Sequence, residues 1–315
     1  MLLPLKLTPA YKDYIWGGEK LRTVYGKNTD ITPVAESWEL SCHKDGLSFI
    51  SGGKHHGKSL DEYIKANPSV LGTSVSGGEL PILIKLIDAC DNLSVQVHPN
   101  DEQAKKWESQ NGKTEMWYVV DATDDARIIY GLKEDTTKEE MENAIKEKRL
   151  EELLNSVPSK KGDVFFVEAG TIHAIGRGNL IAEIQQNSNV TYRLYDYGRV
   201  GKDGKERELH IEKGIMASTL RKTIRKEPKE QDGIRILASC EYFEVKEIKL
   251  KGEKHLRADS TSYHALLSVD GSFEISVGEF AMTVCAGETV FVPADMGDYC
   301  IKGEATVLFT CNPVK

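Results

Sequence analysis

The chain has 315 residues, 40% of them apolar and 29% charged, enough to bury a core in one large domain or two ordinary ones. Its net charge of −8 argues against a general nucleic-acid binder, which needs clustered Lys and Arg, but leaves room for a local basic pocket holding one small phosphate. No apolar run reaches membrane-spanning length, the start MLLPLKLTPAYKDY lacks the form of a signal peptide, and the six cysteines (Cys42, Cys90, Cys240, Cys285, Cys300, Cys311) include no CxxC pair. A cytoplasmic protein with reduced, mostly buried thiols and no membrane partner is the expectation.

Taken in chain order, strand-like runs begin with PILIKLI (81–87), LSVQVHP (93–99), TEMWYVV (114–120) and ARIIYGL (126–132). A helical insertion follows within 135–162, with helix expected near 135–157. Thr137 and Glu140 have the spacing of a capping box, Met141, Ala144 and Ile145 supply an apolar face, and Pro158 helps end the segment. DVFFVEAG (163–170) resumes the strands. The charged stretch TLRKTIRKEPKEQDGIR (219–235) predicts a boundary between a unit of residues 1–225 and a second of residues 226–315. The second unit reads as strands at EYFEVKEIKL (241–250), SYHALLSV (262–269), GSFEISV (271–277), ETVFVPA (288–294) and ATVLFT (305–310). Many short strands with close turn signals predict a mainly β protein of sandwich or barrel type. A faint repeat supports two related units: KGDVFFVEAGTIHAIGRG (161–178) parallels AGETVFVPADMGDYCIKG (286–303), and only the first copy carries a histidine, His173.

The informative segment is LSVQVHPN (93–100). On a strand, Ser94, Gln96 and His98 share one face while Leu93, Val95 and Val97 share the other, so the polar set projects into a cavity. In GKTEMWYVV, Lys113 and Glu115 share a face that Trp117 and Val119 continue, and a neighbouring antiparallel strand would bring Glu115 to His98. His173 follows a turn at Gly170. Gln96, His98, Glu115 and His173 together make a mixed N/O set suited to a divalent metal with an open position. Taken singly each has an ordinary reading: a hydrogen-bonded histidine, a solvated carboxylate, an unremarkable glutamine. Trp16 reads as core packing or as a residue that closes the barrel. His43, His55, His56, His210, His255 and His264 have no identifiable partner in the sequence.

At these residues the chain resembles the type I phosphomannose isomerases, zinc enzymes of the cupin superfamily, and among them the shorter bacterial form. The resemblance runs through YIWGGEKL (14–21), AESWELSCH (35–43), LPILIKLIDACDNLSVQVHPND (80–101), GKTEMWYV (112–119) and AGTIHAIG (169–176). It implies two cupin-type β-barrel domains, the second without metal ligands, and one Zn2+ per chain held by Gln96, His98, Glu115 and His173. It implies active-site roles for Lys85, Lys113 and Arg193, although NVTYRLYDYGR (189–199) departs from the longer members, which have Arg-Ala-Gly-Leu there. The implied reaction interconverts mannose 6-phosphate and fructose 6-phosphate through an enediol, with a small sugar phosphate as partner. In that scheme Lys85, between apolar neighbours and near a cation, is expected to have a lowered pKa and to shuttle the proton. Arg193 would grip phosphate or the enediol oxygens, sharing a pocket wall with Thr191 and Tyr195, or else pair with Asp196. A metal-dependent cupin oxygenase and a non-catalytic sugar-binding cupin are the rival readings of the same residues.

Overall fold

The run ILIKLID forms a strand, Ile82–Asp88, that is buried at every position, which requires cover on both faces. Ile82, Ile84 and Leu86 enter one apolar core, whereas Ile87 enters another and Lys85 lies on its side. This computed structural model describes residues 2–201, 204–231 and 233–314. Among them the strand belongs to a six-stranded antiparallel sheet, ordered Val164–Val167, Glu115–Ala122, Asn179–Gln186, Ile82–Asp88, Glu36–Leu40 and Ala10–Lys12. A five-stranded sheet supplies the opposite wall: Leu154–Pro158, Arg127–Leu132, His173–Ile175, Val95–Val97 and Tyr192–Tyr195. Trp117, Phe165 and Ile181 from the first wall meet Ile128, Tyr130 and Ile175 from the second in a shared core. The architecture is mainly β, with two sheets facing each other across this core.

Helices cover the outer face of the five-stranded sheet, where Val95, Val97 and Leu194 pack against Met141, Leu150 and Ile215. Helix Lys138–Lys146 begins at the expected capping box: the Thr137 hydroxyl accepts from the Glu140 backbone N–H, and the Glu140 carboxylate accepts from that of Thr137. The insertion is less helical than its sequence suggests. Only Lys138–Lys146 and Leu150–Leu153 are helix, and Leu154–Pro158 is an edge strand, the setting in which a proline's missing N–H is tolerated.

The C-terminal region supplies seven strands of a nine-stranded sheet, around its own core of Leu266, Phe273, Ile275, Val290, Ile301 and Val307. Its two longest strands, Glu244–Ala258 and Gly297–Cys311, pair along their whole length. The stretch 219–235 enters this sheet through a hairpin of Lys229–Gln231 with Ile234–Ser239. Two N-terminal strands extend the same sheet, Leu5–Thr8 pairing with Thr289–Val292 and with Phe49–Ser51. A third core lies between this sheet and the six-stranded one, joining Ile84, Met116 and Tyr118 to Val245, Phe291 and Leu308. Across that junction the buried Lys27 ammonium pairs with Glu39 at 2.6 Å and donates to the Gly287 carbonyl at 2.6 Å.

The sequence repeat has a backbone counterpart. Gly162 and Gly287 both have positive φ (87° and 81°), a short strand follows each, and Gly170 and Asp295 then turn the chain with φ of 91° and 59°. Two readings need correction. Cys90 and Cys285 are exposed and the other four thiols half-buried, so the cysteines are not mostly buried; all six are free. Leu93 precedes the strand Val95–Val97 and packs on the cavity side with Trp16, leaving the face expected for it with Val95 and Val97. No helix among the described residues is long and apolar enough to cross a membrane.

Candidate metal centre and the cleft above it

Two rungs of side chains, one from each wall, define the site. In the six-stranded sheet Trp117 is registered with Glu183, Glu183 with Lys85, and Lys85 with Trp38. In the five-stranded sheet Tyr130 is registered with His173, His173 with Gln96, and Gln96 with Arg193. Glu115 and His98 therefore meet across the space between sheets, not as neighbours in one sheet as their sequence spacing suggests.

His98, Glu115 and His173 are buried and converge. The two Nε2 atoms lie 3.2 Å apart, with Glu115 oxygens 3.5 Å from His98 and 3.4 Å from His173. His98 Nδ1 lies 2.8 Å from the Val190 carbonyl and His173 Nδ1 2.8 Å from that of Thr171. Each Nδ1–H then donates to a backbone oxygen, leaving both Nε2 lone pairs turned inward. Burial, followed by the charge of Lys113, drives both imidazole pKa values down, His173 to about 3, so the rings are neutral. Burial and the nearby Glu183 push Glu115 the other way, up from the usual carboxylate range. Its Oε1 has no hydrogen-bond partner. Two facing lone pairs and a poorly satisfied buried carboxylate fit a cation, and the Lys113 ammonium supplies positive charge there, contacting Glu115 and lying 3.0 Å from His98 Nε2. Gln96 stands beside the triad, its amide 3.4 Å from His173 Nε2. All four expected ligands thus gather at one point, three as a tight group and Gln96 at its edge.

A cavity of about 280 Å³ opens above them, lined by Gln96, Lys85, Lys113 and Arg193 among others. A row of alternating charge runs along its floor. Glu36 lies 3.4 Å from Lys85, Lys85 3.0 Å from Glu183, Glu183 3.7 Å from Lys113, and Lys113 contacts Glu115. Trp38 and Trp117 fix an end and the middle of this row through indole N–H bonds of 2.6 and 2.7 Å to Glu36 and Glu183. The expectation for Lys85 is overturned. Burial disfavours its charge, but Glu183 and Glu36 outweigh burial and raise its pKa, so its ammonium keeps its proton.

Arg193 lies in the cavity wall with Thr191, but a register shift between Arg193 and Tyr195 turns Tyr195 away to the surface beside Arg199. Arg193 is not paired with Asp196. Its Nε donates to Ser94 at 3.3 Å and its Nη1 to the Glu208 carbonyl at 2.9 Å, whereas Asp196 binds Arg199 and Arg207. Arg207 also lines the cavity, so two guanidinium groups reach it. Trp16 is 4% exposed and joins both the core and the cavity wall, stacked on Tyr14 at 5.5 Å.

Sequence reasoning missed Glu36, Glu183 and Arg207. Glu183 was detectable: in NLIAEIQQ the apolar Leu180, Ala182 and Ile184 occupy one face, which places Glu183 with Ile181 and Gln185 on the inner one. Arg207 gives no such signal, since it lies in a charged loop and reaches the cavity through its bonds to Asp196.

Comparison with known proteins agrees with this geometry. Residues 4–145 match the family model for the catalytic domain of type I phosphomannose isomerase, and residues 234–312 that for the cupin domain of mannose-6-phosphate isomerase. A probable mannose-6-phosphate isomerase of Bacillus subtilis, GmuF, is 39% identical, over 96% of this chain and 97% of its own. The ManA mannose-6-phosphate isomerase of the same organism is 37% identical over 96% of both chains. The crystal structure of a mannose 6-phosphate isomerase from Bacillus subtilis superimposes with a TM-score of 0.90 at 35% identity, covering 98% of this chain and 99% of that one. With identity above a third along nearly the whole length, the chain belongs to the type I phosphomannose isomerase family.

Proposed function

We propose that the chain interconverts mannose 6-phosphate and fructose 6-phosphate in the cleft above His98, Glu115 and His173, with Zn2+ as the metal of this metal-dependent family. The observation that carries the reading is the juxtaposition of two neutral imidazoles and the Glu115 carboxylate with a buried row of ammonium and carboxylate groups and two guanidinium groups. That combination suits a polyhydroxylated anion whose carbonyl must be enolised.

His98, Glu115 and His173 would hold the ion with Gln96 alongside, and when bound it supplies a Lewis acid that stabilises negative charge on the sugar oxygens. Arg193 and Arg207 are the groups for the phosphate, one anchored by Ser94 and the Glu208 carbonyl, the other by Asp196. Anchoring the dianion leaves C1 and C2 to be placed by the floor of the cleft. Lys85 Nζ, held as an ammonium between Glu36 and Glu183, hydrogen-bonds the oxygen that gains charge as the enediol forms and stabilises that charge without giving up its proton. Lys113 presents its ammonium to the same side, and Glu183 orients both lysines. Residues 1–225 carry all these groups and residues 226–315 back them, in a cytoplasmic enzyme with no nucleic-acid or membrane partner.

The test is a coupled assay of mannose 6-phosphate conversion before and after chelation, with zinc then restored. Activity should vanish and return. A folded, zinc-loaded sample without turnover would reject the isomerase reading.

A further inference from the structure

On the outer surface of the C-terminal sheet, a second group of metal-binding side chains converges: Glu253, His255 and Cys300, whose ligand atoms all lie within 4.8 Å of one another. It owes nothing to the catalytic cleft. Glu253 and His255 are two apart on the strand Glu244–Ala258 and so share a face, and Cys300 stands directly opposite His255 on the strand Gly297–Cys311. His255 Nε2 lies 2.8 Å from Glu253 Oε1. Tyr299 and Ile301, flanking Cys300, point into the core, which leaves the sulfur on the open face with Ser276 registered beside it on the next strand.

We propose that Glu253, His255 and Cys300 form an accessory site for a borderline-soft divalent cation such as Zn2+. The three donors are carboxylate oxygen, imidazole nitrogen and thiolate sulfur, the set that such ions favour, and a water can complete four-coordination. A continuous strand ladder fixes all three backbones, so little chain order has to be gained on binding. The thiol proton leaves to solvent as the metal–sulfur bond forms, and no oxidant or reductant is needed.

Sulfur makes the proposal separable from the catalytic centre, whose ligands are nitrogen and oxygen alone. Chelator-stripped protein is titrated with Co2+ and followed by absorbance and by bound metal after gel filtration. The expected result is two equivalents per chain and a thiolate-to-cobalt charge-transfer band in the near ultraviolet. Cys300→Ser should abolish the band and reduce binding to one equivalent, His255→Ala should weaken the band, and both variants should keep full isomerase activity. One equivalent with no thiolate band in the unmodified protein, or a band that survives Cys300→Ser, overturns the proposal.

Discussion

Glu183 shows how much one buried side chain sets. It faces Lys85 and Lys113 and receives the Trp117 indole N–H, and these two ammonium groups hold its pKa down against burial. In Glu183→Gln the lysines lose their shared counter-charge, and the amide can no longer orient both. The expected outcome is a fall in kcat of about a hundredfold or more, the scale of lost acid–base assistance, with bound metal unchanged by elemental analysis. Loss of the metal as well would place Glu183 in the ion's support instead. In the proposed binding mode Arg207 faces the other end of the substrate. Replacing it by Ala should raise KM for mannose 6-phosphate about tenfold or more while kcat changes far less, since a charge-assisted anchor is removed and the floor is untouched. Equal losses in kcat and kcat/KM would assign it to the reacting centre.

His264 is a residue-scale case outside the site. Half-turned into the second core, its Nδ1 lies 2.8 Å from the Tyr299 hydroxyl, and burial lowers its pKa to about 4. The unfolded chain takes up a proton near the ordinary histidine value of about 6.5, whereas the folded chain resists until about pH 4. Stability from this group is therefore present above pH 6.5, declines as the pH falls toward 4, and then levels off. The full change is on the order of 3 kcal/mol. Urea unfolding between these pH values should show the slope, and His264→Phe should make it shallower, leaving the part due to His98 and His173.

At the scale of elements, the turn after Val164–Val167 carries His173, a ligand in the proposed metal site, into place. Gly170 has φ of 91°, its N–H donates to the His98 carbonyl at 2.8 Å, and its own carbonyl accepts from Thr219 at 2.7 Å. An added Cβ would stand 2.6 Å from the Thr219 hydroxyl. Gly170→Ala should cost about 1–2 kcal/mol in chemical denaturation and weaken metal retention, because the turn joins two ligands. Wild-type metal affinity in that variant would show that the turn is not what positions His173.

The same element explains what was legible. Alternation along LSVQVHPN and GKTEMWYV places Gln96, His98 and Glu115 inward because those strands are regular from Val95 and from Glu115 onward. Leu93 and Tyr195 escaped it, one by preceding its strand and the other by following a register shift. Leu154–Pro158 read as a continuation of helix because its pairing with Arg127–Leu132 comes from distant residues that no local window contains. The charge of Lys85 was misjudged for a related reason. Its apolar sequence neighbours point to the other faces, and the two carboxylates that decide its proton arrive from 49 and 98 positions away.

For the molecule as a whole, the junction of the two sheets rests on an apolar core and on one ion pair within it. Lys27 and Glu39 are almost wholly buried, and burial alone would neutralise Glu39. Lys27→Met leaves that carboxylate without its partner, and the expected loss is about 3–5 kcal/mol in urea unfolding. Replacing both, Lys27→Met with Glu39→Leu, should recover most of it. A single variant as stable as the parent would mean that the pair contributes nothing to the junction.

The placement of Leu5–Thr8 bears on how the enzyme is made. During synthesis Phe49–Ser51 follows these residues closely and can join them early, but Thr289–Val292 is translated long after both. Until it arrives, the N-terminal strand keeps an unpaired edge, and the apolar side of the six-stranded sheet lacks Phe291 and Leu308 as cover. A message cut short, or a stalled ribosome, therefore yields a product that exposes oily surface however complete its catalytic residues are. Such a product is one that chaperones and proteases recognise, so the fold itself distinguishes finished chains from fragments.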